Sequence, residues 1–192
     1  MRRHKIHGLV TGFVLATLLA LSASTLSAAP LLLAADVALA GLTGGLGLYP
    51  DASMLDHVGP TLYVQALRLG IGAETKGGCG LTVGTTAAQL GLLELSVLPI
   101  TVRAFKDFDP TRRWRRRTAY AFATYHWKYV YGVSPEDYDG RFLELGCGVA
   151  WTLAVVTPKA EFRVRSRPTN GPNVSLQVGF DVGGAYVFGK TR

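Results

Sequence analysis

The chain has 192 residues, 48% hydrophobic and 17% charged, with 20 Lys and Arg against 13 Asp and Glu for a formal net charge of +7. The roughly 160 residues left after an N-terminal leader are enough for one domain, and no composition shift, linker or internal repeat marks a second. Of the two cysteines, Cys79 and Cys147, neither has a CxxC or Cys/His neighbour at metal-ligand spacing, which argues against a metal centre.

Residues 1–29 read as a signal peptide. Arg2, Arg3, His4 and Lys5 precede an uncharged apolar run at 8–21 and small residues at 22–29. That is the charged, apolar and small-residue order of an export signal. The run is shorter than the ~20 apolar residues of a helical span. Ser27, Ala28 and Ala29 suit the peptidase, although Pro30 follows; Ala35 is a second candidate cut. Export would allow Cys79 and Cys147 to form a disulfide, yet Cys147 lies in phase with an apolar strand face and could equally stay a thiol.

Residues 30–192 carry a period of two, so successive side chains face opposite sides of extended ribbons. The first strand, 36–49, puts Ala38, Ala40, Leu42, Leu46 and Leu48 on one face, with Gly41, Thr43, Gly45 and Gly47 opposite. A loop at 50–60 leads to a strand at 61–73, with Tyr63, Leu67, Leu69 and Ile71 against Arg68, Gly70 and Gly72; Gln65 breaks the greasy side. After a turn at 74–78, the stretch 79–104 is too long for one strand. It divides at 85–89, and Pro99 implies a bulge in the second part.

A charged loop at 105–116 precedes a ribbon at 118–131, where Tyr125, Trp127, Tyr129 and Tyr131 cluster like an interfacial aromatic girdle. Beyond a loop at 133–140, residues 141–157 alternate most cleanly. Leu143, Leu145, Cys147, Val149, Trp151, Leu153 and Val155 oppose Glu144, Gly146, Gly148, Ala150, Thr152 and Ala154. Pro158 and Lys159 make a tight turn, 160–166 a short strand, 167–173 a loop, and 174–188 the last ribbon. The total is about eight strands, and no stretch after the leader holds a helical period over three turns.

Two features favour lipid against the greasy faces. Several strands run ten or more residues in unbroken alternation, against the usual 5–6 or so of globular strands. The opposite faces are mostly Gly, Ala, Ser and Thr with scattered charge, which suits a crowded narrow lumen. A third feature is a resemblance. Asp181, Gly183, Tyr186 and Phe188 fill, in order, the polar, glycine, aromatic-or-apolar and aromatic positions of the C-terminal assembly signal of outer-membrane barrels; Gly189, Lys190, Thr191 and Arg192 follow. The chain thus resembles small bacterial outer-membrane β-barrels of the eight-stranded type. The resemblance implies an all-β, antiparallel, up-and-down transmembrane barrel in the outer membrane, inserted by the barrel-assembly machinery.

Counting back from a periplasmic Phe188 puts the loops at 133–140 and 168–173 outside. It also puts the arginine-rich loop on the periplasmic side, against the rule that periplasmic turns are short. Arg112, Arg113, Trp114, Arg115, Arg116 and Arg117 are candidate contacts to phospholipid or lipopolysaccharide phosphates, because guanidinium forks suit phosphate oxygens and Trp suits the headgroup level. Arg68, Glu94, Lys128, Glu144, Glu161, Arg163, Arg165 and Asp181 are candidate lumen charges, which must pair inside a narrow barrel.

No cofactor is called for, and nucleic acid is a poor partner for an exported barrel despite the basic balance. The mature histidines, His57 and His126, show no serine at the His-x-Ser spacing of lipid-modifying barrels: Lys128 stands where it would fall, and Ser53 and Asp56 near His57 are commonplace in a loop. The expectation is a non-enzymatic, porin-like barrel with an envelope-structural or surface-interaction role. The alternatives are a soluble periplasmic barrel holding an apolar ligand and a membrane-embedded lipid-modifying enzyme.

Overall fold

The computed structural model describes residues 31–49, 58–92, 94–110, 112, 115–127, 129–131, 141–166 and 172–188. The leader at 1–29 and the loop residues Ser53, Asp56 and His57 lie outside them, as do Arg113, Trp114 and Lys128. The described chain is all-β. Its segments are β1 (Leu31–Leu48), β2 (Val58–Thr75), β3 (Cys79–Gly91), β4 (Glu94–Val97), β5 (Ile100–Asp107), β6 (Arg115–His126), β7 (Tyr129–Tyr131), β8 (Phe142–Leu153), β9 (Val156–Arg165) and β10 (Val174–Phe188).

Every pairing is antiparallel, and the order follows the chain. β1 pairs with β2 on one side and with β10 on the other, from Leu33↔Phe188 to Leu48↔Val174. β2 also pairs with β3, from Tyr63↔Gly91 to Glu74↔Gly80, and this pairing closes the sheet into a ring. Along β3, residues 79–85 face β5 and residues 88–90 face β4, so β4 and β5 lie in line; β7 continues β6 in the same way. The start of β1, the end of β10 and the β2–β3, β5–β6 and β8–β9 connections gather at one end, called here the terminal end.

The layout of apolar and polar groups is the reverse of a water-soluble core. Ile71, Val149, Leu176 and Val178 are 72%, 58%, 62% and 63% exposed, whereas Glu144, Glu161, Gln177 and Asp181 are buried inside the ring. The alternation sends leucine and valine outward and polar groups inward, as expected.

The phase of that alternation changes partway along several strands. In β1, Ala34, Asp36 and Ala38 point inward; a bulge at Leu39, 65% exposed, resets the phase so that Thr43 points inward next. In β2 the reset falls at Leu67, whose φ of 32° is left-handed. It turns Tyr63 inward together with Gln65, so Gln65 is no fault in a greasy face and Tyr63 is not part of one. Leu98, with φ 50°, and Pro99 separate β4 from β5 and reset that line as well, which fits the bulge expected at Pro99.

Several boundaries differ from those read in the sequence. The break expected at 85–89 lies instead between Gly91 and Glu94, with 79–91 continuous as β3. The tight turn is at Ala154 and Val155, while Pro158 and Lys159 lie within β9. Proline fits there because the β8–β9 ladder is interrupted between Lys159 and Val156, and Lys159 is left facing inward. The charged loop is shorter than expected, since β5 reaches Asp107 and β6 begins at Arg115.

Three inward aromatic rings lie across glycines on the facing strand. Tyr120 is opposite Gly148, Phe122 opposite Gly146, and Phe105 opposite Gly80. A Cβ at Gly148 would stand 2.9 Å from the Tyr120 hydroxyl and 2.6 Å from the Ala160 carbonyl. Only glycine lets the ring lie this close to the wall.

Candidate functional site

The inside of the ring holds a continuous chain of ion pairs. It runs Arg103–Asp36–Arg68–Asp181–Lys159–Glu161–Arg163–Glu144–Arg165–Glu94, alternating in sign with five cations against five anions. Asp36 clasps two guanidiniums, Arg68 Nη2 at 3.0 Å and Arg103 Nη1 at 2.7 Å. Arg68 Nη1 reaches Asp181 at 2.8 Å, and Lys159 Nζ lies 2.9 Å from Asp181 and 3.6 Å from Glu161. Arg163 then pairs with Glu161 and, at 3.1 Å, with Glu144. At the far end Arg165 bridges Glu144 at 2.9 Å and Glu94 at 2.7 Å.

Strand alternation explains this spacing. Lys159, Glu161, Arg163 and Arg165 stand every second residue along β9, all facing inward, and Glu94 of β4, Glu144 of β8 and Asp181 of β10 supply the counter-charges to its cations. A buried ion is costly unless paired and hydrogen-bonded, so neighbours of opposite sign are the condition for such a row to exist. Neutral groups complete it. The Tyr63 hydroxyl donates to Glu94 Oε1 at 2.9 Å and accepts from Arg165 Nη2 at 3.1 Å; the Tyr120 hydroxyl donates to Glu161 at 2.7 Å. Guanidiniums also sit over ring faces, Arg103 at 4.8 Å from the Tyr120 centroid and Arg163 at 5.6 Å from that of Phe122.

A second cluster lies at the terminal end. Arg116 pairs with Glu74 at 2.8 Å and with Asp107. Arg116 therefore points into the ring and is not among the residues able to touch lipid phosphate on its outer face. The phase of β6 explains this: Arg116, Thr118, Tyr120, Phe122, Thr124 and His126 share the inward face. Arg112, Arg115 and Arg117 remain exposed. Arg117, on the outer face opposite Trp151, holds Asp109 at 2.7 Å, and that hydrogen bond keeps the Asp109 carboxyl below its ordinary value of 3.8.

All the sequence-predicted lumen charges that the structure describes, namely Arg68, Glu94, Glu144, Glu161, Arg163, Arg165 and Asp181, do face inward and pair with one another. Asp36, Glu74, Arg103, Asp107, Arg116 and Lys159 join them without having been expected. The expected signal residue Asp181 is thus also a link in the ion chain. Gly183, with φ 121°, donates its N–H to Val155 O at 2.7 Å, and Tyr186 and Phe188 pair in β10 with Ala35 and Leu33.

His126 meets Ser96, a contact the sequence spacing did not suggest, with Ser96 Oγ 2.7 Å from Nδ1 and the ring stacked on Phe142 at 4.3 Å. Both residues are almost fully buried. Cys79 and Cys147 are free thiols, Cys147 on the outer face.

Among the cavities bordered by the described residues, three lie inside the ring. The largest, about 70 Å³, is at the terminal end and bordered by Ala34, Glu74, Asp107 and Arg116; cavities of about 30 and 10 Å³ lie deeper. Ser96 and His126 line none of the three. Among the described residues no group of three or more His, Cys, Asp or Glu side chains could hold a metal ion. No protein-family model, curated protein or solved structure matches the chain.

Proposed function

We propose that the chain is a non-enzymatic outer-membrane β-barrel, exported by the signal peptide at residues 1–29, with an envelope-structural or surface-interaction role. Counting β4 with β5 and β6 with β7 as single staves gives eight around the circumference, an even number as bacterial membrane barrels use. The observation that carries the reading is the reversed burial. A water-soluble monomer rarely exposes a contiguous apolar patch beyond ~300–600 Å², whereas here leucine, valine and isoleucine cover the outside of successive strands. A soluble barrel holding an apolar ligand would need those side chains inside, where this ring carries ion pairs.

Two further features fit. Tyr125 and Trp127 are exposed toward one end of the ring, and Trp151 and Phe108 toward the other, the placement of interfacial aromatic girdles. At the terminal end Arg112, Arg115 and Arg117 flank Trp151, where they suit anionic headgroup phosphates. On this reading the terminal end is periplasmic, and the last strand engages the assembly machinery through Asp181, Gly183, Tyr186 and Phe188.

Cell fractionation combined with gel migration before and after boiling tests the proposal. The chain is expected in the outer membrane, with a band that shifts on boiling in mild detergent. A mature chain that stays in solution without detergent and shows no heat-dependent shift refutes it.

A further inference from the structure

The ion-paired interior is not solid. All three cavities are bordered by both Arg68 and Arg103, so these two side chains are the partitions between them. Asp36 clasps both. The Nε atoms of Arg68 and Arg103 have no protein acceptor, and buried donors of this kind need a partner, for which water in the cavities is suited. Gly70, Gly84 and Thr82 line the smallest of the three cavities beside the two guanidiniums.

Beyond the partition the second cavity ends at Glu144 and Arg163. There the other end of the ion chain, Arg165 and Glu94 with the Tyr63 hydroxyl, spans the ring.

Resting on the membrane-barrel reading, we infer that the lumen is a conduit for small ions closed twice in series. The Asp36–Arg68–Arg103 partition closes it nearer the terminal end, and the Tyr63–Glu94–Arg165–Glu144 cluster closes it at the other. The chain of charges makes this testable without stranding a buried ion. Arg103 with Asp36, and Arg165 with Glu94, are its two terminal pairs, and removing either leaves the rest alternating and neutral. Ions crossing a narrow pore need polar groups in place of hydration water, and the links that remain, Arg68 to Glu144, supply them.

The test uses folded protein extracted from membranes and placed in planar phospholipid bilayers under potassium chloride. Three variants are compared with the parent: Arg103→Ser/Asp36→Ser, Arg165→Ser/Glu94→Ser, and all four substitutions together. The fourfold variant is expected to conduct at least about tenfold more than the parent, while each twofold variant stays closed. A fourfold variant that keeps its heat-dependent gel shift but passes no current overturns the inference; so does a current through either twofold variant, because two closures in series must both open. A parent that remains soluble and shows no such shift refutes the membrane reading instead.

Should the fourfold variant not fold, Thr86→Cys in a Cys79→Ser/Cys147→Ser background decides the partition alone. Thr86 borders the second cavity and not the first. A small aqueous thiol reagent should modify it only when Arg103 and Asp36 are replaced by serine. Equal modification with and without that pair overturns the partition.

Discussion

Val178→Arg puts the orientation of the outer face to a quantitative test. Val178 is 63% exposed and lies in β10 between Leu176 and Phe180, opposite Gly44 of β1 and Ala160 of β9. If water bathes this face, the arginine is solvated at once and stability moves by no more than ~0.5 kcal/mol, as for ordinary surface substitutions. If hydrocarbon covers it, the cost is ~2–4 kcal/mol, the value for arginine near the midplane on the lipid face of a barrel. At ~1.4 kcal/mol per factor of ten, the two cases differ by about 10- to several-hundred-fold in the folded-to-unfolded ratio.

Val155→Arg is the matched control. Val155 is similarly exposed, at 59%, but sits in the turn between β8 and β9, where the same charge reaches the headgroup level and costs ~0–1 kcal/mol. Urea unfolding of both variants in phosphatidylcholine vesicles, followed by tryptophan fluorescence, gives the comparison. Equal stabilities, or a Val178→Arg protein within ~0.5 kcal/mol of the parent, refute the reasoning.

Three further outcomes are expected. Glu144→Ala leaves Arg163 and Arg165 each short of a buried partner and should cost ~3–5 kcal/mol in the same unfolding assay. Cys147, free and on the outer face, should react in vesicles with a lipid-soluble maleimide and resist a charged, membrane-impermeant one; the opposite preference would put water there. The Asp109–Arg117 pair has a depressed carboxyl pKa, so its contribution is present above pH 3.8 and fades as the pH falls through the lower folded value. The Asp109 carboxyl carbon, followed by NMR, should titrate below 3.8, and a midpoint at or above that value contradicts the pairing.

Much of the architecture was legible because strands write their faces into the sequence at a period of two. β6, β8 and β9 keep one phase throughout, as does β10 from Val174 to Gly183, and there the inward charges Glu144, Glu161, Arg163, Arg165 and Asp181 follow from counting alternate residues. Counting fails where the chain slips phase. Ahead of the Leu39 bulge, Asp36 shares the even numbering of outward Leu42, so counting alone sends it outward; Gln65 reads as a defect because the reset at Leu67 lies beyond it.

A different limit hid Lys159 and Arg116. Pro158 resembles a turn signal, and an arginine run resembles a solvated loop, yet both positions fall in strands paired by their neighbours. Proline is tolerated in a strand where its missing N–H is not required. Ser96 and His126 lie 30 residues apart and meet only through the pairing of the β4–β5 and β6–β7 lines, a relation no local spacing encodes.

The rings that lie over glycines couple the wall to the axis. Gly148 supports Tyr120, which supports Arg103; Gly146 supports Phe122, which supports Arg163. Each stack has three storeys, and its ground floor has no side chain. One added methyl at Gly146 would lift the benzyl ring above it, and that ring would shoulder the guanidinium out of line with both of its carboxylates. A change of a single carbon in the wall, touching no charge, would thus be felt as a misalignment along the centre of the molecule.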